Sequence, residues 1–205
     1  VTVDDSRKLR RHLEQKLTLN EPLRRTFLDT LEHRMSSTSA LRAALRPVVI
    51  SAAGRVNTGD SFIRILLNTI PIQADVAALL LERLPEFTEA AAGDTGEAGI
   101  PHLILGQFRW LDTIANGAAL TSKLLQVLPV CPPGLQGDII SFLPEIATEN
   151  DHSAIVQELS QLADSNHEIV PAVLSALSGL LSMNEESAVA ALGGGGEGEE
   201  GGSLA

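Results

Sequence analysis

Apolar residues recur every three or four positions along most of this chain, which is the period of an amphipathic helix. The first clear stripe is Leu9, Leu13 and Leu17 in RKLRRHLEQKL. Similar patterns predict helices in EPLRRTFLDTLEHRM, SALRAALRPVVISAAGRV, FIRILLNTI, QADVAALLLERLPEF, IPHLILGQFRWLDTIANG, AALTSKLLQVLPVC, PPGLQGDIISFLPEI, DHSAIVQELSQLADSN and EIVPAVLSALSGLLSM. The sequence therefore predicts an all-α fold.

Prolines punctuate these segments and predict how the helices are arranged. Proline lacks a backbone donor and clashes with the preceding helical turn. It is expected to stop helices at Pro129 and near Pro144, and to kink or divide the third helix at Pro47. Helices of roughly 10–16 residues with very short connectors fold back as antiparallel neighbours. Such hairpins stack into an α-solenoid of the HEAT or armadillo kind, here with irregular repeats, and a compact helical bundle is the alternative.

Turn residues and charge divide the chain into three predicted parts. NTGDS is expected to be a turn in which Asp60 caps the next helix, and Asp151 is expected to cap a later one. Residues 1–59 are predicted to be mildly basic N-terminal helices, 60–192 the solenoid segment, and 193–205 a disordered Gly/Glu-rich tail.

Charge differs strongly between the two ends of the chain. Residues 1–60 contain 11 Lys and Arg against 7 Asp and Glu, a net +4, and residues 61–205 contain 4 against 19, a net −15. A surface with the second balance repels the phosphate backbone of nucleic acid. Acidic residues therefore argue against direct DNA binding by the second part alone.

Composition limits the class of protein further. Aromatic residues make up only 3% of the chain while Leu and Ala are abundant, which favours helix over strand. The single cysteine, Cys131, excludes an intramolecular disulfide and is typical of a reducing compartment. No apolar run reaches the ~18 residues that cross a bilayer, and no signal-peptide pattern is visible, so no membrane partner is expected.

Residue patterns that would support catalysis are missing from the sequence. The histidines form no HExxH motif, and GGGGEGE lacks the Lys and Ser/Thr of a phosphate loop. Cys131 has no basic neighbour in sequence and is interpreted as a packing residue. We therefore predict no catalytic, cofactor-binding or metal-binding residues, no cofactor and no enzyme activity.

Trp110 is the only tryptophan of the chain and follows Arg109. The first interpretation is that Trp110 fills the core between two stacked helices. The second is that Arg109 and Trp110 anchor a partner protein, because both residue types are common at binding hot spots.

The segment from Gln107 to Ile146 resembles the Fanconi anaemia group D2 protein family. The family has a W-L-D-x-x-x-x-G segment followed by a Leu-rich helix and L-Q-x-D-I-I-x-x-L-P-E-I. In this chain those residues are Trp110-Leu111-Asp112, Gly117, Leu135-Gln136, Asp138-Ile139-Ile140 and Leu143-Pro144-Glu145-Ile146. The resemblance covers residues 61–183 well and residues 1–60 weakly, and it implies the N-terminal helical solenoid of the family.

The resemblance implies a non-catalytic scaffold in DNA interstrand crosslink repair, in the nucleus. Family members pair with the Fanconi anaemia group I protein, and the complex closes on double-stranded DNA and is monoubiquitinated on a lysine. This chain would be one arm of that clamp, and Lys123 is not expected to be the modified lysine. A generic helical-repeat adaptor for protein–protein interaction is the alternative function.

The resemblance also implies a contact with ubiquitin. A stretch near residues 119–144 coincides with one proposed in the family to resemble a ubiquitin-binding CUE motif. Its small-residue-Pro turn and apolar terminus would be Cys131-Pro132 and Leu143-Pro144. The alternative is that the same residues are buried junctions of the solenoid.

Overall fold

The computed structural model describes residues 3–52, 55–87, 99–109 and 111–193. Its helices are α1 Val3–Leu19, α2 Glu21–Met35, α3 Thr38–Leu45, α4 Phe62–Leu67, α5 Gln73–Glu82, α6 Ile100–Phe108, α7 Gly117–Val127, α8 Pro133–Ile146, α9 His152–Ser165 and α10 Val170–Gly193. Two strands, β1 Val48–Ala52 and β2 Arg55–Gly59, form an antiparallel hairpin between α3 and α4. None of the helices in these ranges is long and apolar enough to span a bilayer.

The helices stack in successive layers, which confirms the predicted all-α solenoid. Helix α7 packs against α5 and α8, and α8 packs in turn against α6 and α10. Connectors are short where the chain reverses, and only Asn20 separates α1 from α2. Helices such as α5, α7 and α8 therefore contact more than one other helix, as stacked hairpins require.

One hydrophobic cluster runs through the stack from Leu17 in α1 to Leu180 in α10. Its most enclosed side chains, all fully buried, are Leu41, Leu45, Ile63, Leu66, Leu67, Ile72, Leu80, Leu81, Ile104 and Leu124. The cluster continues across residues 59 and 60, so the predicted boundary there has no gap in packing. The three-part division stays a prediction, and residues 194–205 of the predicted tail lie outside the described residues.

The segment around Pro47 corrects the predicted third helix. Helix α3 ends at Leu45, and the following Val48–Ala52 pairs with Arg55–Gly59 in the hairpin. Pro47 ends the helix rather than kinking it, because the residue before a proline avoids the helical region. Val48, Val49 and Ile50 are β-branched and favour the strand that follows.

The predicted helix over residues 101–117 is shorter in the structure. Helix α6 ends at Phe108, and α7 begins only at Gly117. The segment 111–116 between them is not helical. Polar contacts described below hold it in place, and a stripe of apolar positions does not reveal them.

Pro144 does not stop its helix, contrary to the prediction. Helix α8 continues through Pro144 to Ile146 and closes with a hydrogen bond from the Ala147 amide to the Leu143 carbonyl, at 3.0 Å. A single proline removes one donor, and packing against α10 compensates for that loss. The Pro144 ring lies where Gly179 of α10 leaves room, since a Cβ built at Gly179 would lie 3.4 Å from it.

The predicted helix caps lie at the right ends of the helices, but the capping residue is not always the predicted one. Ser61, not Asp60, caps α4 by accepting from the Arg64 amide at 3.0 Å. Asp151 instead completes a capping box, in which its carboxylate accepts from the Thr148 amide at 3.1 Å. Ser61 stands one position after the predicted cap and Thr148 three positions before it, shifts that the spacing of polar residues cannot resolve.

Two glycines test the close packing of the stack. A Cβ at Gly117 would lie 3.0 Å from the Ile146 carbonyl oxygen, whereas a Cβ at Gly137 would meet nothing within 4 Å. We expect Gly117→Ala to lower the free energy of unfolding by about 1 kcal/mol, because the neighbouring backbone must move. Gly137→Ala is expected to raise it by about 0.5–1 kcal/mol by reducing the entropy of the unfolded chain. Urea denaturation measures both, and equal shifts of the same sign would contradict the packing.

Candidate interaction surfaces and the junctions that shape them

Gln73 joins three parts of the solenoid through one buried amide. Its Nε2 donates to the carbonyl oxygens of Leu67, at 2.7 Å, and Thr113, at 2.6 Å. Its Oε1 accepts from the Ala115 amide at 2.6 Å. The side chain is 4% exposed. Gln73 therefore satisfies backbone groups that the non-helical segment 111–116 cannot pair within itself.

The aspartate of the W-L-D segment is held by two other elements. The Asp112 amide donates to Oδ1 of Asn68 at 3.1 Å, and its carboxylate accepts from the Arg10 guanidinium at 2.8 Å. Arg10 also contacts Glu14 at 3.2 Å. Asp112 thus links α1, the end of α4 and the start of segment 111–116. The ion pair is largely exposed and contributes little stability, so its effect is on position.

Gln107 and Gln136 have the same function at two further junctions. The Gln107 amide accepts from the Ser61 hydroxyl at 2.6 Å and donates to the Leu45 carbonyl at 3.3 Å. Gln136 donates to the Leu128 carbonyl at 3.2 Å. Sequence reasoning missed all three glutamines. The signal was present, because each is a lone amide on the apolar face of a helix beside a break in the helical pattern.

The CUE-like residues divide into two buried and two accessible side chains. Cys131 is 5% exposed and Leu143 is fully buried, whereas Pro132 is exposed and Pro144 is half-buried. Burial raises the pKa of the Cys131 thiol from 9.0 to about 11, because the low-polarity surroundings disfavour the thiolate. Cys131 and Leu143 pack the junction between α7 and α8 and do not present an apolar surface for ubiquitin in this form.

The predicted anchor pair is described only in part. The Arg109 side chain is exposed and donates to the Ser141 hydroxyl of α8 at 3.2 Å. Trp110 lies outside the described residues. Arg109 is therefore accessible to a partner but is already oriented by a contact within the stack.

Residues for catalysis do not come together in the described ranges. No group of three or more His, Cys, Asp or Glu side chains there could hold a metal ion. Among the described residues, the hydroxyls of Ser6 and Thr121 are buried without a hydrogen-bond partner. The geometry of the described residues is that of surfaces and junctions.

Two surface depressions flank helix α5. A groove of about 690 Å³ lies between α2 and α5. A smaller apolar socket of about 130 Å³ lies on the other side of α5, against α7 and segment 111–116. The Gln73 junction shapes the socket, because Gln73 and Leu111 both line it.

Fold and surfaces define a helical-repeat protein whose accessible features are grooves between stacked helices. Comparison with known families makes the assignment specific. The model of the family described as "Fanconi anaemia protein FancD2 nuclease" matches residues 2–190. The chain belongs to the FancD2 family, which acts in the Fanconi anaemia pathway.

Curated relatives agree with this membership. The chain is similar to the Fanconi anemia group D2 protein of Gallus gallus, with 34% identity over 159 residues. It is also similar to the group D2 homologues of Rattus norvegicus, at 33% over 120 residues, and of Mus musculus, at 32% over 120 residues. These matches cover 75%, 58% and 58% of this chain. They span only 11%, 8% and 8% of the relatives' own lengths.

Replacing Gln73 tests whether the buried amide holds segment 111–116. Gln73→Leu keeps the volume but leaves the Leu67 and Thr113 carbonyls and the Ala115 amide without this partner. We expect the free energy of unfolding to fall by about 2–4 kcal/mol. The matched control is Gln157→Leu on the exposed face of α9, with a change within about 0.5 kcal/mol. Equal midpoints for the two variants in chemical denaturation would refute the role.

The Cys131 thiol reports on opening of the α7–α8 junction. At pH 8 the thiol is protonated because its pKa is about 11, and only the thiolate attacks a disulfide reagent. We expect a thiol-specific chromogenic disulfide to react with the native chain at least about tenfold more slowly than with the chain in denaturant. Immediate reaction of the native chain would show that the junction is open.

The same pKa shift predicts a loss of stability in alkaline solution. The folded chain holds the Cys131 proton more tightly than the unfolded chain, whose thiol has the ordinary pKa of 9.0. The resulting stabilisation is complete below pH 9 and is lost as the pH rises from 9 to about 11. Cys131→Ala provides the comparison, because its unfolding free energy lacks this component of the pH dependence.

Proposed function

We propose that this chain is a non-catalytic scaffold arm of a DNA-clamp complex in interstrand crosslink repair. The observation that carries the proposal is membership of the FancD2 family over nearly the whole chain, together with its stacked-helix architecture. Such a stack exposes long helical surfaces and uses them to bind other macromolecules. The arm acts as part of a longer protein, and its location is nuclear because chromosomal DNA is the substrate of repair.

The partner in the proposal is the Fanconi anaemia group I protein. Family resemblance supports that choice, and the exposed, pre-oriented guanidinium of Arg109 supplies a candidate contact. Arginines held in place by a neighbouring side chain lose little conformational entropy on binding. Arg109 is accordingly a stronger candidate than a mobile surface arginine.

Double-stranded DNA is bound through the full complex rather than by this chain alone. The net charge of −15 over residues 61–205 repels phosphate, and the +4 of residues 1–60 is small. Arginines in the basic part are also engaged by acids, since Arg10 pairs with Glu14 and Asp112. Cations from other parts of the complex would have to provide most of the phosphate contacts.

The word nuclease in the family description favours a second candidate function, hydrolysis of nucleic acid. Nucleases of the metal-dependent kind hold their ions with clustered carboxylates. The described residues of this chain contain no such cluster, which supports the scaffold over the nuclease for this part of the protein.

Ubiquitin has two separate places in the proposal. By resemblance to the family, conjugation of ubiquitin would occur on a lysine elsewhere in the longer protein and not on Lys123, which pairs with Glu82 at 2.5 Å. Binding of ubiquitin to the CUE-like segment stays a prediction. It would require the α7–α8 junction to open, because Cys131 and Leu143 are buried.

The test of the clamp uses the longer parent protein together with the group I protein. We expect the two to co-elute as one complex and to retain duplex DNA that the 205-residue chain alone does not retain at about 150 mM salt. Arg109→Ala in the parent protein is expected to weaken the complex by about tenfold. The matched control is Arg25→Ala on α2, whose side chain is 78% exposed and pairs only locally with Glu21.

Three results would count against the proposal. Failure of the parent protein to associate with the group I protein would favour the generic adaptor. Tight duplex binding by this chain alone would remove the need for the complex. Magnesium-dependent cleavage of DNA by the purified chain would favour the nuclease.

A further inference from the structure

Helix α5 separates two surface depressions that share one lining residue, Ala78. The groove between α2 and α5 has a volume of about 690 Å³, within the range of ligand-binding clefts. The socket on its other side has about 130 Å³ and is lined mainly by alanines, Leu111, Ile114 and Leu120. Ala78 borders both, so the two depressions adjoin across a single small side chain. We call this combined region the α5 surface.

The groove carries an excess of negative charge from two opposing helices. Five carboxylates line it, from Asp29, Glu32, Asp75, Glu82 and Glu86, against the single guanidinium of Arg83. Arg83 forms an ion pair with Glu86 at 3.0 Å and donates a hydrogen bond to the Met35 carbonyl. Glu82 is paired with Lys123 at 2.5 Å.

Three of these carboxylates therefore have no ion-pair partner among the residues that the structure describes. Asp29 and Glu32 project from α2 and Asp75 from α5, and no ion pair links them to another side chain of the described residues. Like charges across one groove repel each other, so an added cation stabilises them. They do not form a metal site, because no group of such side chains in the described ranges is close enough to hold one ion. The charges are spread along the groove and fit several separate cations.

The socket adds a requirement of a different kind. Its walls are mostly apolar, and its volume is close to that of a cavity of about 150 Å³ that holds a benzene-sized group. One leucine or phenylalanine side chain fills such a space. Lys123 at the rim is neutralised by Glu82, so the socket does not repel a cationic neighbour.

From these observations we infer that the α5 surface is a docking site for a basic, amphipathic segment of a partner protein. Lysine or arginine side chains of that segment lie in the groove beside Asp29, Glu32 and Asp75. One apolar side chain of the segment enters the socket. This is the helix-in-groove mode of recognition, with charge that selects for basic segments and excludes acidic ones.

The experiment measures peptide binding to the 205-residue chain by fluorescence anisotropy. The probe is a labelled 15-residue peptide with lysine and leucine at helical spacing. One comparison peptide has serine in place of leucine, and another has glutamate in place of lysine. The lysine–leucine peptide is expected to bind, the serine version about tenfold more weakly, and the glutamate version not at all.

Variants of the chain separate the site from general attraction to an acidic protein. The double variant Glu32→Gln with Asp75→Asn is expected to lower the affinity for the lysine–leucine peptide by about tenfold at low salt. The control, Glu145→Gln with Asp164→Asn, changes the net charge equally at exposed positions on α8 and α9 and is expected to leave binding within about twofold. Ala119→Leu fills the socket and is expected to abolish the advantage of leucine over serine in the peptide.

Several outcomes would overturn the inference. Equal weakening by the charge variant and its control would show only non-specific attraction. Absence of binding by the lysine–leucine peptide would rule out the groove as a docking site. Equal binding of the leucine and serine peptides would rule out the socket as the site of an apolar side chain. Amide chemical-shift changes confined to residues outside α2, α5, α7, segment 111–116 and residues 83–86 would place the peptide elsewhere. None of these outcomes bears on association with the group I protein, so this inference and the proposed function fail separately.

Discussion

The solenoid depends on pairing the backbone groups that its interrupted helices leave unsatisfied. A short helix satisfies only a small share of its own backbone hydrogen-bonding groups, since each end leaves up to four donors or acceptors without an intrahelical partner. Where such ends are buried between stacked hairpins, water cannot replace the missing partner, and each lost hydrogen bond costs on the order of 1–3 kcal/mol. Gln73, Gln107 and Gln136 solve this problem at three junctions by placing an amide, which both donates and accepts, against carbonyls of neighbouring elements. The hydrophobic stripes bring the helices together, and these amides fix where each helix stops.

Close backbone approach is the second condition of the same packing. Gly117 lets the start of α7 lie against the Ile146 carbonyl, and Gly179 makes room for the ring of Pro144. The second contact explains why a proline is tolerated inside α8. Its missing donor affects one turn, whereas the ring packs against α10 along a buried interface. Residues that disrupt an isolated helix can thus stabilise a stack of helices.

Much of the fold could be predicted from the sequence, because periodic apolar positions decide which face of a long helix is buried. Helix α2 was predicted over residues 21–35 and is Glu21–Met35. The pairing of residues 48–52 with 55–59 and the non-helical segment 111–116 could not be predicted in this way. A run such as Val48-Val49-Ile50 fits a helix or a strand, and tertiary context decides between them. Polar ties such as Gln73 to Thr113, 40 residues apart, leave no local pattern at all. Of the proposed site residues, burial separates Cys131 and Leu143 from the accessible Pro132, a distinction that depends on packing partners.

Folding into the stack changes how the charges of the two parts of the chain are distributed in space. An even distribution of acids would give a surface that merely keeps the protein soluble. Here acids from α2, in the basic part of the sequence, and from α5, in the acidic part, face each other across one groove. Net charge per segment therefore hides the local field, since Asp29 and Glu32 line the groove although residues 1–60 as a whole are basic. Arg25 lies 78% exposed, while Asp29 and Glu32 line the groove. In a helical repeat of this kind, acids spread over the surface repel nucleic acid, and acids that line one groove select a basic protein segment. Neither property requires any change of the hydrophobic core.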